Sequence, residues 1–205
     1  MTTAPTAKRR TDPERAQNRR NQVLEAAAVC FARSGFHGAS MSEISKQAGM
    51  SAGHIYNYFD SKDAIILAFV DREAEYVSGL LRDLATRDDP LEAILEDAPI
   101  HIDESLDPQP WTVPLEMFAE ASRNPVIAAK LRENEEVSRA QLRALVKSGR
   151  ESRQLPVDDV LLDGRLDTMI SYFQGLSIRA LYRPNMNRAS LVEAFRVAMR
   201  ALLMT

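Results

Sequence analysis

An all-α chain of about nine helices is what the sequence predicts, and three observations carry that expectation. One helix-starting device occurs three times, at Asp12-Pro13, Asp89-Pro90 and Asn124-Pro125. In each, the first side chain accepts free amides and the proline, which has no amide to leave unpaired, occupies the first helical position. Apolar residues recur at helical spacing through most of the chain, and no stretch shows the strict alternation of a half-buried strand.

Taken in order, residues 1–12 are expected to be a disordered basic arm with the cluster Lys8-Arg9-Arg10, either a solubilising tail or a DNA-contacting arm. From Pro13 to about Ser34, Val23, Ala27, Cys30 and Phe31 share one helical face. Gly35 to Gly38 ends this helix, and Phe36 is placed to plug a small core. A long helix runs from Ser61, its cap, to about Thr86 with a stripe from Ile65 to Leu84. The next starts at Pro90 and is expected to kink or divide at Pro99, near Ala98. Thr112 is the expected cap of a short helix to Ser122, followed by helices over 125–152, 158–183 and 187–204.

The chain's 205 residues hold 45% hydrophobic and 27% charged side chains, values of an ordinary globular protein. Net charge is −3, but its distribution is uneven: residues 1–62 carry nine Lys/Arg against five Asp/Glu, and the remainder 17 against 24. A basic head on an acidic body confines phosphate attraction to one end. The single cysteine, Cys30, lies on an apolar face and reads as a buried thiol. With no signal-peptide core and no apolar run able to span a bilayer, a cytoplasmic protein without membrane contact is expected.

The informative stretch is Ser40 to Lys62, SMSEISKQAGMSAGHIYNYFDSK. Ser40 and Glu43 form a capping box, Gly49 stands where the chain must leave a helix through a left-handed residue, and Ser51 can cap the next helix. Two short helices joined by a tight turn make a helix-turn-helix. Ile44, Ala48-Gly49-Met50-Ser51, Gly53, Ile55-Tyr56, Tyr58-Phe59 and Lys62 resemble the signature of the TetR family of transcriptional regulators. The motif resemblance spans residues 13–70; beyond it, only helix number and length agree.

That resemblance implies a helix-turn-helix DNA-binding domain over 13–60 and a ligand-binding and dimerisation domain over 61–205. Positions matching Ser42, Ala52, Gly53, Tyr56 and Asn57 are implied to lie against bases, and those matching His54, Tyr58 and Lys62 to hold phosphates. The residues themselves support part of this. Small Ala52 and Gly53 let the main chain approach base edges, whereas Asn57 can pair with adenine or simply be solvated. Lys62 begins a helix, where free amides already favour an anion.

The resemblance further implies a palindromic operator of double-stranded DNA, a homodimer through the last two helices, and a small, mostly apolar effector that releases a repressor. The double apolar stripe of those helices, with Gly175 and Ala180, suits close helix pairing. Phe69, Trp111, Met117, Phe118, Met169, Tyr172 and Phe173 are the expected pocket residues, each also explicable as core. Asp97, His101 and Glu104 share a helical face, but Pro99 interrupts it; a solvated acidic face is favoured over metal. No cofactor is expected, and no nucleophile elbow or phosphate loop suggests an enzyme. The competing reading is an architectural or partner-binding DNA-binding protein without an effector.

Overall fold

The computed structural model describes residues 13–205. The expected basic arm and the Asp12 cap lie outside them. Ten helices follow in chain order: α1 (Pro13–Gly38), α2 (Met41–Gln47), α3 (Ala52–Ile55), α4 (Lys62–Ala85), α5 (Pro90–Glu96), α6 (Ala98–Leu106), α7 (Thr112–Ala121), α8 (Pro125–Ser152), α9 (Asp159–Tyr182) and α10 (Arg188–Met204). They fall into two compact units divided between Ala68 and Phe69, so the first turns of α4 belong to the first unit, whereas the sequence suggested a division at residue 60.

In the first unit, α1 buries Val23, Leu24, Ala27, Cys30 and Phe31. At Gly35 the backbone turns to φ 70°, ψ 169°, a conformation open only to glycine, and breaks the helix. This break folds Phe36 back so that its ring meets Phe31 edge-on, centroids 5.5 Å apart. The capping box of α2 is complete, Ser40 and Glu43 each accepting the other's amide. At its far end Met50 N–H donates to Ser45 O and Gly49 N–H to Lys46 O, a Schellman closure that requires the φ of 63° at Gly49. Ser51 caps α3 through the His54 amide.

In the second unit, α10 packs on α5, α6, α8 and α9. Their core holds Leu91, Ile102, Val146, Leu166, Phe195 and Met199, all fully buried. Asp89 and Asn124 cap α5 and α8 as the sequence indicates, each accepting two amides. Arg139, Arg143 and Lys147 of α8 pair with Asp159, Asp163 and Asp167 of α9, a ladder that fixes their register. Buried Arg150 closes the C-terminal end, donating to the carbonyls of Pro156, Leu203 and Thr205.

The division expected near Ala98 is present: the stretch from Pro90 is two helices, Asp97 ending α5 and beginning α6, which makes ten helices among the described residues where about nine are expected. Pro99 cannot donate to the Leu95 carbonyl, and that oxygen accepts instead from Asp97 N–H and, at 3.1 Å, from Arg196 Nε. Thr112 is not a cap but the first residue of α7; Trp111 holds the cap position with no side-chain bond. Turns from Pro108 and Gln109 already bring the backbone in at helical angles, leaving no extended residue to cap.

A Cβ added at Gly149 would lie 2.7 Å from Leu91 Cγ, whereas one at Gly79 meets only the far end of Arg82 at 3.9 Å. Urea unfolding is therefore expected to show Gly149→Ala destabilised by about 1–3 kcal/mol. Gly79→Ala should gain up to about 1 kcal/mol from helix propensity.

Candidate functional site

The first candidate site is the exposed edge of α2 and α3. The α-helix at α3 is only four residues long; single turns then carry the chain on, Asn57 N–H donating to His54 O, and Tyr58 and Phe59 N–H to Ile55 O. Ile55 and Phe59 are buried, while Ala52, Gly53, His54, Tyr56 and Asn57 are exposed, as is Ser42 on α2. Nothing lies within 4 Å of a Cβ built at Gly53, so no neighbour in the chain demands a glycine there.

His54 gathers two of the other expected residues. Asn57 Nδ2 lies 3.3 Å from its Nδ1, and the Tyr58 hydroxyl 3.3 Å from its Nε2. His54 is thus the shared partner of both side chains, each ring nitrogen donating or accepting according to the tautomer. Two residues not anticipated from sequence position this segment: Arg20 donates to Tyr58 O at 2.7 Å and covers the Phe59 ring, and Gln22 donates to Ala48 O at 2.7 Å.

Lys62 has a different role from the phosphate contact expected of it. Its ammonium donates to Phe36 O (2.6 Å), His37 O (3.3 Å) and Ala39 O (2.6 Å), and sits 4.7 Å from the Phe36 ring centroid. These carbonyls are left over where α1 breaks at Gly35, and an ammonium has only three protons to give. Lys62 is a staple of the first unit.

The second candidate site is a cavity of about 510 Å³ within the second unit, walled by α4, α6, α8 and α9 and by the segment around Trp111. Trp111, Phe118, Met169 and Phe173 line it as expected. Phe69, Met117 and Tyr172 do not: all three are at least partly buried elsewhere, Phe69 under the Arg72 guanidinium and Tyr172 against Phe195. In each case the next residue in sequence, Val70, Phe118 or Phe173, takes the cavity wall, since one step along a helix turns the side chain by about 100°. The polar wall was missed: Glu73, Tyr76, His101, Glu104, Asn134 and Arg139. Asn134 also donates to Val70 O at 3.2 Å, and neighbouring Lys130 pairs with Asp71, tying α8 to α4 beside the cavity.

The Asp97, His101 and Glu104 side chains take separate partners. Asp97 pairs with Arg87 at 3.8 Å, Glu104 accepts from the Tyr76 hydroxyl at 3.3 Å, and His101 packs edge-on to Phe173. Among the described residues no His, Cys, Asp and Glu cluster could hold a metal ion. Burial pushes the His101 imidazole below its ordinary pKa, against the opposing pull of Glu104 and Asp97.

A third surface lies on the last two helices. Leu161, Gly164, Thr168, Ser171, Gly175, Ile178 and Tyr182 of α9 are all exposed at alternating steps of three and four. Ala194, Val197 and Ala201 of α10 follow the same spacing, with Val197 63% exposed. An added Cβ at Gly164 or Gly175 meets nothing within 4 Å.

Two family models match the chain. One, described as bacterial regulatory proteins of the tetR family, matches residues 23–69. The other, described as the C-terminal part of BetI-type transcriptional repressors, matches residues 87–204. The HTH-type transcriptional regulator UidR of Escherichia coli is 36% identical over 121 residues, a match covering 57% of this chain and 59% of that relative. The HTH-type transcriptional repressor AcnR of Corynebacterium glutamicum is 27% identical over 161 residues, 76% of this chain and 80% of AcnR. Salmonella enterica GusR superposes with a TM-score of 0.76 at 26% identity, covering 92% of this chain and 96% of its own. FadR from Bacillus subtilis, solved in complex with stearoyl-CoA, shares the fold: TM-score 0.70, 20% identity, 90% and 97% covered. The named relatives are regulators of transcription, not enzymes. Among the described residues no helix is long and apolar enough to cross a membrane.

Two measurements check these assignments. Lys62→Met is expected to cost about 2 kcal/mol of stability and to leave the salt slope of DNA binding unchanged, whereas loss of a phosphate contact would lower it by about one. For His101, a lowered folded-state value means that the unfolded chain binds the extra proton first. Its contribution is complete above pH 6.5 and is lost as pH falls below that. His101→Phe should flatten this part of the stability–pH curve; an unchanged slope would remove His101 as its source.

Proposed function

This chain belongs to the TetR family of bacterial regulatory proteins, and we propose that it is a ligand-responsive repressor, a dimer bound to a palindromic operator and released when a small molecule fills the cavity of its second unit. The observation that carries this reading is the continuity of α4. It gives the cavity eight lining residues, from Val70 to Leu84, and its first turn holds the lysine that staples the first unit. A ligand that displaces α4 acts on a helix both units use. An architectural protein without an effector would leave so large an apolar cavity without purpose. FadR, solved with stearoyl-CoA, has this fold with a ligand part of which is a long apolar chain.

In this reading Ala52, Gly53, Tyr56 and Asn57, with Ser42, face base edges, and His54 and Tyr58 hold phosphate. The exposed stripes of α9 and α10 pair with those of a second copy, their open glycines admitting close helix approach. Two-fold pairing presents two reading segments to half-sites about 10 base pairs apart or a multiple of that. A ten- to hundredfold loss of DNA affinity needs only about 1.4–2.8 kcal/mol of coupling.

Footprinting on the DNA flanking the gene is expected to show two inverted half-sites. Asn57→Ala is expected to relax base preference at one position of each, at a cost of about 1–3 kcal/mol per half-site. Ile178→Glu combined with Val197→Glu should yield a monomer by sedimentation and abolish the footprint. A dimeric double variant would refute the pairing through α9 and α10, and a single unpaired footprint would refute the palindrome.

A further inference from the structure

The charge on the cavity wall narrows the class of effector, given the reading that the cavity is the effector site. Glu73, Glu104 and Glu135 line it against a single cation, Arg139. That guanidinium is already committed, bonding Asp163 at 3.2 Å and Asp167 at 2.9 Å, and neither aspartate lines the cavity. His101 adds no positive charge near neutral pH, because burial holds it below its ordinary value. An anionic ligand, whether a carboxylate or a phosphate ester, would meet like charge and no uncommitted cation.

Glu73 is the most telling group. Its carboxylate has no hydrogen bond or ion pair among the described residues, and its surroundings on α4 are Val70, Ala74 and Val77. Burial pushes its pKa up, with Arg72 alone pulling the other way. Glu73 is exposed and unpaired among apolar neighbours on the cavity wall, so its carboxylate is available to a ligand cation. Tyr76 and Trp111 on the same wall offer aromatic faces, which attract cations, and Phe118 and Phe173 add apolar surface.

We propose that the cavity takes an organic cation with an apolar body, its charge met by Glu73 and Glu104 and its body by Trp111, Phe118 and Phe173. The cation is an amine or quaternary ammonium, because the carboxylates and aromatic rings on the wall meet such a group directly. Trp111, the only tryptophan, reports occupancy directly.

The test titrates the full-length protein with decyltrimethylammonium, decanoate and 1-decanol below their aggregation limits, reading Trp111 fluorescence and heat. Decyltrimethylammonium is expected to bind at least about tenfold more tightly than either of the others, and Glu73→Gln to remove most of that preference while leaving decanol within about twofold. Thermal melting verifies that the variant is folded; Glu104→Gln provides the same comparison should Glu73→Gln fail to fold. Decanoate or decanol binding as tightly as the cation would overturn the proposal and leave the cavity standing as an effector site. Absence of fluorescence change and heat with all three would overturn both.

Discussion

Three carbonyl oxygens converge on one ammonium where α1 stops, and the first unit depends on that junction. The backbone break at Gly35 strands the oxygens of Phe36, His37 and Ala39, and Lys62, the first residue of α4, supplies all three protons. Two of these bonds are part-buried and the third is exposed, so the ammonium stabilises the break chiefly at the Phe36 and Ala39 oxygens, where water is partly excluded. The same contact fixes the start of α4 against α1. The segment around α3 is in turn held by α1 through Arg20 and Gln22. The chain of constraints thus runs from α4 to α1 to α3.

At its other end α4 is constrained differently. From Val70 onward it is one wall of a cavity, held to α8 by Asn134 and Lys130 rather than by dense packing. Interiors are normally close-packed, and a void of about 510 Å³ means many side chains lack contacts on one face. The first turns of α4 bury Ile65 and Ile66 completely, whereas from Val70 onward the helix borders the cavity. Polar residues also face the cavity, and Glu73 lies there without a hydrogen bond or ion pair among the described residues.

What was legible in the sequence was local. The capping box of Ser40 and Glu43, the left-handed Gly49 and the caps at Asp89 and Asn124 each involve residues within four positions, so the pattern carries its own partner. The stapling by Lys62 is not legible in the sequence, because its partners are backbone oxygens 23 to 26 residues away, and carbonyls have no residue signature. The cavity was half legible. Aromatic content pointed to Trp111, Phe118 and Phe173, but periodicity alone does not say which flank of α4 or α9 faces a void, so Phe69 and Tyr172 were included. Glu73 on an otherwise apolar stripe was the available signal for the polar wall. The ladder of Arg139, Arg143 and Lys147 with Asp159, Asp163 and Asp167 shows as two four-residue spacings in the sequence, but its pairing needs the antiparallel packing of α8 and α9.

The central claim is that cavity and DNA grip share one free energy through α4. Linkage makes it directly measurable: a ligand that weakens DNA binding must itself bind more weakly to the DNA-bound protein, by the same factor. Titrating one cavity ligand into free and operator-bound protein, with Trp111 as reporter, is therefore the most direct test. The account predicts affinities differing by about tenfold or more, matching the ligand's effect on operator affinity. Equal affinities for the two forms would contradict it.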